Sequence, residues 1–224
     1  MKQVADGVWH VDTIFLPNSI NAYLIDGVLI DAGTRHSAGK ILWQIAPHDV
    51  SAHALIHSHP DHQGASHEVC NALDIPLWVG ERDADAAEDP NLIRQRQPDN
   101  AMARFYIKIF IGPGHPVDRH LHEGDEIAGF KVLDVPGHSA GHVAFWRESD
   151  GVLILGDVLA NIDQLTGLPG LHEPKPYLTP DPAENRRSAK RLAELEPKVV
   201  LFGHGAPLRE TRKFVDFVEN LAID

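Results

Sequence analysis

Short apolar runs separated by turn residues alternate along the chain with stretches in which apolar residues recur at helical spacing. A run of a few apolar residues is typical of a strand, whereas apolar residues three or four positions apart indicate a helix. In the first half, the pattern predicts strands over 21–25, 28–30, 54–56 and 77–79 and helices over 37–45 and 64–73. Asp26-Gly27 supplies the positive φ angles of a two-residue hairpin turn, and Pro47 stops the first helix.

The second half continues this alternation and repeats a short segment of the first. The predicted strands are 127–135, 143–147, 152–155 and 199–202, the predicted helices are 102–110, 184–195 and 211–221, and 169–182 is predicted to be an irregular proline-rich loop. Asp-Gly-Val-Leu-Ile occurs at 26–30 and again at 150–154, and a carboxylate follows each copy, Asp31 or Asp157. We therefore expect an α+β fold over residues 1–224, one domain of two packed sheets with helices on both outer faces.

Composition narrows the class of protein. The chain has 224 residues, and 20 Lys and Arg against 32 Asp and Glu give a net charge of −12, which argues against nucleic acid as a partner. The single cysteine, Cys70, excludes an internal disulfide and lies in an apolar-patterned helix, where a core position is more expected than a nucleophile. The absence of a secretory leader and of a membrane-length apolar run predicts a cytoplasmic protein that binds no membrane.

Histidine changes this picture most, with 15 in the chain. Four potential metal ligands fall within residues 57–62, His-Ser-His-Pro-Asp-His, directly after a predicted apolar strand. In a segment leaving a strand, His57 and His59 can point the same way, and the following turn lets Asp61 and His62 face a second point. The cluster therefore predicts two neighbouring cation sites rather than a polar loop without metal.

Further potential ligands follow other predicted strands. His138, Asp157 and His204 each come just after an apolar strand, beside a glycine that lets the backbone approach closely and bend. A single histidine or carboxylate at a strand end is usually a cap or a turn residue. Three in the same position repeat one pattern and predict a shared site. Histidines outside the pattern, among them His10 and His53, are expected to be surface residues.

This ordered set resembles that of the metallo-β-lactamase-fold hydrolase superfamily, in its glyoxalase II-like and lactonase-like branch of small-molecule hydrolases. The residues that carry the resemblance are His57-x-His59-x-Asp61-His62, then His138, Asp157 and His204, together with Asp31 in Leu29-Ile30-Asp31-Ala32-Gly33. The resemblance implies a four-layer αβ/βα sandwich of two mixed β-sheets flanked by helices. It also implies that metal ions lie at one edge of the two sheets.

A distribution of ligands is implied as well. One metal ion would take His57, His59 and His138, the other would take Asp61, His62 and His204, and Asp157 would bridge both. Asp31 is implied to orient a ligand without binding metal. His142, four residues after His138, either supports the site in the same way or is an ordinary turn histidine.

The chemistry of this ligand set predicts metal-assisted hydrolysis. Five histidines and two carboxylates suit two divalent ions, with Zn²⁺ expected and Fe or Mn left open. Two such ions share a hydroxide that attacks a carbonyl carbon, and Asp61 is the expected proton shuttle and catalytic residue. A thioester or a lactone of a small molecule is the expected substrate. The alternatives are iron-dependent oxidation of the sulfur dioxygenase kind, β-lactamase-like amide hydrolysis, and a metal-binding protein without turnover.

Two polar segments are expected to line the substrate pocket. Residues 91–116 contain Arg104 and Tyr106, and the proline-rich loop contains Tyr177; these three are the candidate substrate-binding residues. The cations of 91–116 would receive an acidic substrate if the segment is a lid. The alternative is an amphipathic helix with a solvated basic face. The oligomeric state does not follow from the sequence.

Overall fold

In the computed structural model, which describes residues 1–14 and 16–222, the first half of the chain forms a seven-stranded mixed sheet. Its strands are β1 Lys2–Ala5, β2 Val8–Asp12, β3 Asn21–Ile25, β4 Val28–Ile30, β5 Ala52–Leu55, β6 Leu77–Gly80 and β7 Arg119–Leu121, and their spatial order is their chain order. The strands from β1 to β4 pair antiparallel, and those from β4 to β7 pair parallel. The predicted Asp26-Gly27 hairpin joins β3 to β4, with positive φ at both turn residues.

The second half forms a five-stranded mixed sheet and a separate two-stranded one. The strands are β8 Glu126–Ile127, β9 Phe130–Asp134, β10 Val143–Arg147, β11 Val152–Gly156, β12 Ala160–Ile162, β13 Pro169–His172 and β14 Val199–Phe202. The larger sheet has the order β14-β11-β10-β9-β8, in which only the pair of β11 and β14 is parallel. β12 and β13 form the small antiparallel sheet.

Helices cover the outer faces of the two large sheets. They are α1 Ala38–Ile45, α2 Pro60–Gln63, α3 Ser66–Leu73, α4 Ala84–Glu88, α5 Pro90–Arg96, α6 Ala101–Phe110, α7 Pro182–Ala193 and α8 Thr211–Glu219. Tyr23 and Ile30 of the first sheet pack against Phe145 of the second between the sheets. Apolar residues of α1 and α3 bury the outer face of the first sheet, and those of α7 and α8 bury the outer face of the second. The expected four-layer αβ/βα arrangement of an α+β fold is confirmed.

Several local predictions were wrong, each for an identifiable reason. The helix predicted over 64–73 begins only at Ser66, as α3, and the short helix α2 before it was not predicted. The strand predicted over 127–135 is interrupted by a turn at Ala128-Gly129, where both residues have positive φ. The proline-rich loop 169–182 contains β13 and a short 3-10 turn at Pro176–Leu178, because its first residues find a pairing partner in β12. His10 and His53 are buried rather than at the surface. No helix within the described part of the chain is long and apolar enough to cross a membrane.

The two large sheets meet at one edge, where several strands end in polar residues. The neighbouring parallel strands β4 and β5 lead into Asp31 and His57, and β11 and β14 lead into Asp157 and His204. The backbone N–H of Asn21, in the first sheet, donates to the carbonyl of Gly203 after β14, at 2.8 Å. Because parallel strands end on the same side of a sheet, this topology brings the chain's candidate ligands to a common edge.

Candidate metal centre

The central motif forms one compact cluster beyond the end of β5. Pro60 occupies the first position of α2, where its missing N–H and fixed φ favour a helix start, and α2 carries Asp61 and His62. The ring centroids of His57 and His59 lie 4.5 Å apart, and those of His57 and His62 lie 4.2 Å apart. The turn into the helix therefore keeps His57 close to both His59 and His62.

The remaining ligands join this cluster from the second sheet. The ring centroid of His138 lies 4.4 Å from that of His59, and the ring centroid of His204 lies 5.4 Å from that of His62. Within the described residues, three groups bring their potential ligand atoms within 4.8 Å of one another: His57, His59 and His138; His57, His62 and Asp157; and Asp61, His62 and His204. The first and third groups coincide with the two ligand sets that the resemblance implied.

Asp157 lies between these two groups. Its Oδ1 is 3.4 Å from His62 Nε2, and its Oδ2 is 3.5 Å from His138 Nε2 and 3.0 Å from His204 Nε2. Gly203 is needed for this approach, since a Cβ at that position would lie 1.9 Å from Asp157 Oδ1. The Asp157 carboxylate thus contacts His138 of the first group and His62 and His204 of the third. A ligand shared by two metal ions has contacts of this kind.

The inward-facing atoms of the cluster are buried without hydrogen-bond partners among the described residues. They are both nitrogens of His57, Nε2 of His62 and His138, and Oδ1 of Asp157, whereas Nε2 of His204 lies 3.1 Å from Asp61 Oδ2 and 3.0 Å from Asp157 Oδ2. Buried polar atoms in folded proteins are almost always paired, so this concentration of unpaired lone-pair atoms is exceptional. Imidazole nitrogens and carboxylate oxygens are also the donors that divalent transition metals prefer. The residues present therefore fit two metal ions.

The outward nitrogens of the ligand histidines are held by the surrounding framework. His138 Nδ1 lies 3.1 Å from Thr179 Oγ1, whose own proton is donated to the carbonyl of Lys175 at 3.0 Å. His204 Nδ1 lies 2.5 Å from the carbonyl oxygen of Ser19. Both partners accept hydrogen bonds, so Nδ1 carries the proton in each ring. Nε2 of His138 therefore presents a lone pair to the cluster, and Nε2 of His204 would present one after losing its proton.

Asp31 and His142 also support the cluster from outside it. Asp31 has a φ of +60°, a strained conformation for this residue. In this conformation, Oδ1 of Asp31 accepts the backbone N–H of Ile56 at 2.9 Å, and Oδ2 accepts Nδ1–H of His62 at 2.8 Å. His142 accepts the backbone N–H of Asp157 at 3.2 Å, and burial lowers its pKa to about 3, so its ring stays neutral.

The histidines on the two sides of the cluster have pKa shifts in opposite directions. Burial lowers the pKa of His57 and His138 well below the usual value, and neighbouring histidines lower it further. Burial also opposes charging of His62 and His204, but the carboxylates beside them outweigh it, raising the pKa of His62 well above its usual value and that of His204 to about 10. A negative potential therefore stands at the carboxylate side. Such a potential favours a bound cation over the protons that these histidines otherwise hold.

The three candidate substrate-binding residues fall in two different places. The hydroxyl of Tyr106, on α6, is buried beside Asp61, and burial together with that carboxylate raises the pKa of the phenol well above its usual value. Tyr177, in the 3-10 turn, lies close enough to Tyr106 to raise this pKa further. Arg104 is on the exposed side of α6, where it forms an ion pair with Asp99 at 2.5 Å. The structure brings Tyr106 to the cluster and Tyr177 near Tyr106, and it leaves Arg104 exposed.

Asp83 is a functional residue that the sequence reasoning missed. Its buried carboxylate accepts the backbone N–H of Ser58 at 3.1 Å, the hydroxyl of Ser139 at 2.6 Å and the N–H of Gly141 at 2.8 Å. It therefore joins the loop of the central motif to the loop that carries His138. The sequence feature that could have identified Asp83 is its position shortly after β6, because the candidate ligands also follow strands.

A cavity of about 440 Å³ opens beside His59. Its walls include Ala86, Ile93 and Pro136, with Arg82 and Glu184 also lining it. A volume of this order is large enough for a small organic molecule. The cluster therefore has both buried ligands and an adjoining space for a substrate.

Comparison with known proteins agrees with this geometry. The model of the Metallo-beta-lactamase superfamily matches residues 16–204. The chain is 30% identical to the probable metallo-hydrolase YflN of Bacillus subtilis over 218 residues, which cover 89% of this chain and 81% of that protein. It is 25% identical over 158 residues to a hydroxyacylglutathione hydrolase of Bdellovibrio bacteriovorus, covering 69% of this chain and 48% of that enzyme. The solved structure of TTHA1623 in a di-iron-bound form superposes on this chain with a TM-score of 0.65 at 32% identity, covering 89% of this chain and 94% of that one.

Proposed function

The chain belongs to the metallo-beta-lactamase superfamily, and from this premise we propose that it is a hydrolase with two divalent metal ions that cleaves a thioester or lactone bond in a small molecule. The observation that carries the proposal is the pair of ligand groups around Asp157, whose inward atoms are buried without partners in the described residues. A protein without a ligand to bind would gain nothing from so many unpaired buried atoms.

His57, His59 and His138 would hold one ion, Asp61, His62 and His204 the other, and Asp157 both. Bound there, the ions would supply Lewis acidity, lowering the pKa of water and polarising a carbonyl oxygen. Asp61 lies 3.1 Å from His204 Nε2 through one carboxylate oxygen, and the carboxylate is the group in the cluster suited to take up a proton during the reaction.

Tyr106 supplies a neutral hydrogen-bond donor to the reaction. Its buried hydroxyl beside Asp61 stays protonated, because burial and the carboxylate both oppose ionisation. A donor in this position can bond to a substrate oxygen on which negative charge develops. Tyr177 lies near Tyr106, and the side chain of Asn100, just before α6, donates to the carbonyl of Tyr177 at 2.9 Å.

The cavity beside His59 receives the part of the substrate that lies away from the scissile bond. Its apolar walls, which include Ala86, Ile93 and Pro136, suit a hydrocarbon portion. Similarity to a hydroxyacylglutathione hydrolase supports a thioester over an amide. Iron-dependent oxidation is the second candidate, favoured by the di-iron form of the similar TTHA1623 structure.

Hydrolysis assays on purified protein test the proposal. The panel comprises a glutathione thioester, an aryl thioester, a lactone, a β-lactam and a phosphodiester, and the metal content of the same protein preparation is measured by mass spectrometry. We expect turnover of a thioester or lactone that is lost on chelation and restored by Zn²⁺ or another divalent ion. Hydrolysis that persists after complete chelation, or activity on the phosphodiester alone, would contradict the proposal.

A pair of variants on α6 tests the role of Tyr106. Tyr106→Phe removes only the hydroxyl, and we expect kcat to fall by about 10-fold or more with the metal content unchanged. Phe105→Leu is the control, since Phe105 is 61% exposed on the same helix. An unchanged kcat in Tyr106→Phe would remove this residue from the mechanism while leaving the metal centre intact.

A further inference from the structure

Gln97 lines the cavity beside His59 and contacts this ligand histidine through its side-chain amide. It follows α5 in an extended conformation, and its Nε2 lies 2.5 Å from Nε2 of His59. Its Oε1 is buried and has no hydrogen-bond partner among the described residues. The amide therefore meets the ring nitrogen while its acceptor oxygen remains unpaired.

The chemistry of the imidazole decides which atom of the amide belongs at this contact. A neutral histidine has one N–H and one lone pair, and it needs the lone pair on the nitrogen that binds metal. If the amide nitrogen donates to Nε2 of His59, the proton sits on Nδ1, and neither ring nitrogen is available to a cation. A half-turn of the amide exchanges its nitrogen and oxygen without changing the space it fills, and this places Oε1 against Nε2–H and leaves the lone pair on Nδ1.

We propose that Gln97 is the positioning residue of His59: its Oε1 accepts Nε2–H and holds the ring in the tautomer whose Nδ1 binds metal. The proposal rests on the metal centre described under the proposed function. His59 would then differ from His62, His138 and His204, whose Nδ1 atoms face the framework and whose Nε2 atoms face the cluster.

The position of Gln97 in the chain gives its contact with His59 a further consequence. The acceptor for His204 is the carbonyl of Ser19, two residues before β3, whereas Gln97 lies between α5 and α6, in the segment that carries Tyr106. A hydrogen bond that forms only with the metal-binding tautomer links the two events thermodynamically. Metal binding therefore stabilises the position of this segment, and the segment in turn raises metal affinity.

Three variants separate the acceptor role from simple packing. Gln97→Glu keeps an acceptor of the same reach, and Gln97→Met keeps the approximate size without a strong acceptor. Gln95→Met is the control, since Gln95 is exposed on α5, two residues before Gln97. Metal affinity is measured by competition with a chelator for Zn²⁺. We expect Gln97→Met to weaken binding by roughly 10- to 100-fold, as loss of an outer hydrogen bond to a ligand histidine does, while Gln97→Glu and Gln95→Met stay within about 3-fold of wild type or bind more tightly.

Two further readouts would not respond to a merely structural role. In the Zn²⁺-loaded protein, NMR should detect a slowly exchanging Nε2–H of His59 in wild type and Gln97→Glu, and this proton should exchange rapidly in Gln97→Met. Hydrogen exchange of residues 90–110 should slow on metal binding in wild type and slow less in Gln97→Met.

The outcomes that overturn the proposal are distinct from failure of the proposed function. Wild-type affinity in Gln97→Met, equal loss in Gln97→Glu and Gln97→Met, or a proton on Nδ1 of His59 in the loaded protein would each overturn the role of Gln97 alone. A wild-type protein that binds no divalent ion would overturn the metal centre itself and the role of Gln97 with it.

Discussion

Strand β5 has a buried histidine at its start and another just beyond its end, and the two differ in what their nitrogens contact. His53 Nδ1 lies 3.0 Å from the carbonyl of Leu29, and its Nε2 lies 2.8 Å from the hydroxyl of Ser66. His57 is equally buried, but neither of its nitrogens has a partner among the described residues. Burial therefore does not separate a structural histidine from a ligand, whereas the pairing of its nitrogens does.

This difference has an energetic meaning. A buried histidine with both nitrogens paired recovers the free energy that its polar atoms lose on leaving water. The unpaired nitrogens of His57 keep that cost, which a bound cation would offset. His53 should thus contribute to the stability of the metal-free fold, and His57 to metal binding.

Replacing the ligand histidine His57 should have the largest effect on function. In His57→Ala, we expect activity to fall by at least about 1,000-fold, roughly 4 kcal/mol, because metal-assisted hydrolysis needs the ion that this histidine would hold. Metal content should fall with it, as measured by mass spectrometry. His120→Ala, at an exposed position, is the control. Full activity in His57→Ala without added metal would break the comparison.

Removing the structural histidine should instead affect the fold. His53→Ala leaves a cavity and removes both hydrogen bonds, so we expect the free energy of unfolding of the metal-free protein to fall by about 3 kcal/mol. Metal content per folded molecule should stay at the wild-type value. Denaturant titration measures the first quantity and mass spectrometry the second. Loss of metal without loss of stability would assign His53 to the site.

The pH dependence of the unfolding free energy should show that His53 is buried in its neutral form. Burial lowers the pKa of His53 to about 4, against about 6.5 in an unfolded chain. Between these values the unfolded state binds the proton and the folded state does not, so stability falls as pH falls. We expect the difference in unfolding free energy between wild type and His53→Gln, both metal-free, to shrink by about 2 kcal/mol from pH 7 to pH 5. A difference that is constant over this range would contradict the buried neutral state.

A residue outside the ligand set should give a smaller effect. Asp31→Asn keeps an acceptor for His62 Nδ1–H but loses the negative charge, so we expect Zn²⁺ affinity to fall by about 10-fold in chelator competition. Asn also tolerates the positive φ at this position. Asp26→Asn is the matched control, since Asp26 has positive φ in the exposed hairpin turn. Equal effects of the two substitutions would show that Asp31 has no specific role.

The ligands were accessible from the sequence because they share a local signature. His57, His138, Asp157 and His204 each follow an apolar strand, and strand ends of parallel pairs converge at one sheet edge. Gln97 has no such signature. Its contact with His59 depends on where α5 and α6 pack, and helical spacing predicts a helix without predicting what its end will touch.

Partners from distant parts of the chain were equally beyond local reasoning. Thr179 meets His138 across 41 residues and Asp83 meets Gly141 across 58 residues, and nothing in the residues around either pair marks the contact. Arg104 shows the same dependence on helix packing. Its charge suggested substrate binding, but the rotation of α6 puts it on the solvent side, two residues from the inward-facing Tyr106.

The sequence by itself determined the central strands of the two large sheets, the longer helices, the α+β class and the candidate ligands, because each depends on short-range periodicity and on residues next to strand ends. Only the tertiary structure decided which nitrogen of His62, His138 and His204 faces the cluster, which tyrosine reaches it and which buried histidine lies outside it. Those outcomes depend on hydrogen bonds between residues far apart in the chain, and such bonds exist only once the sheets have packed and excluded water.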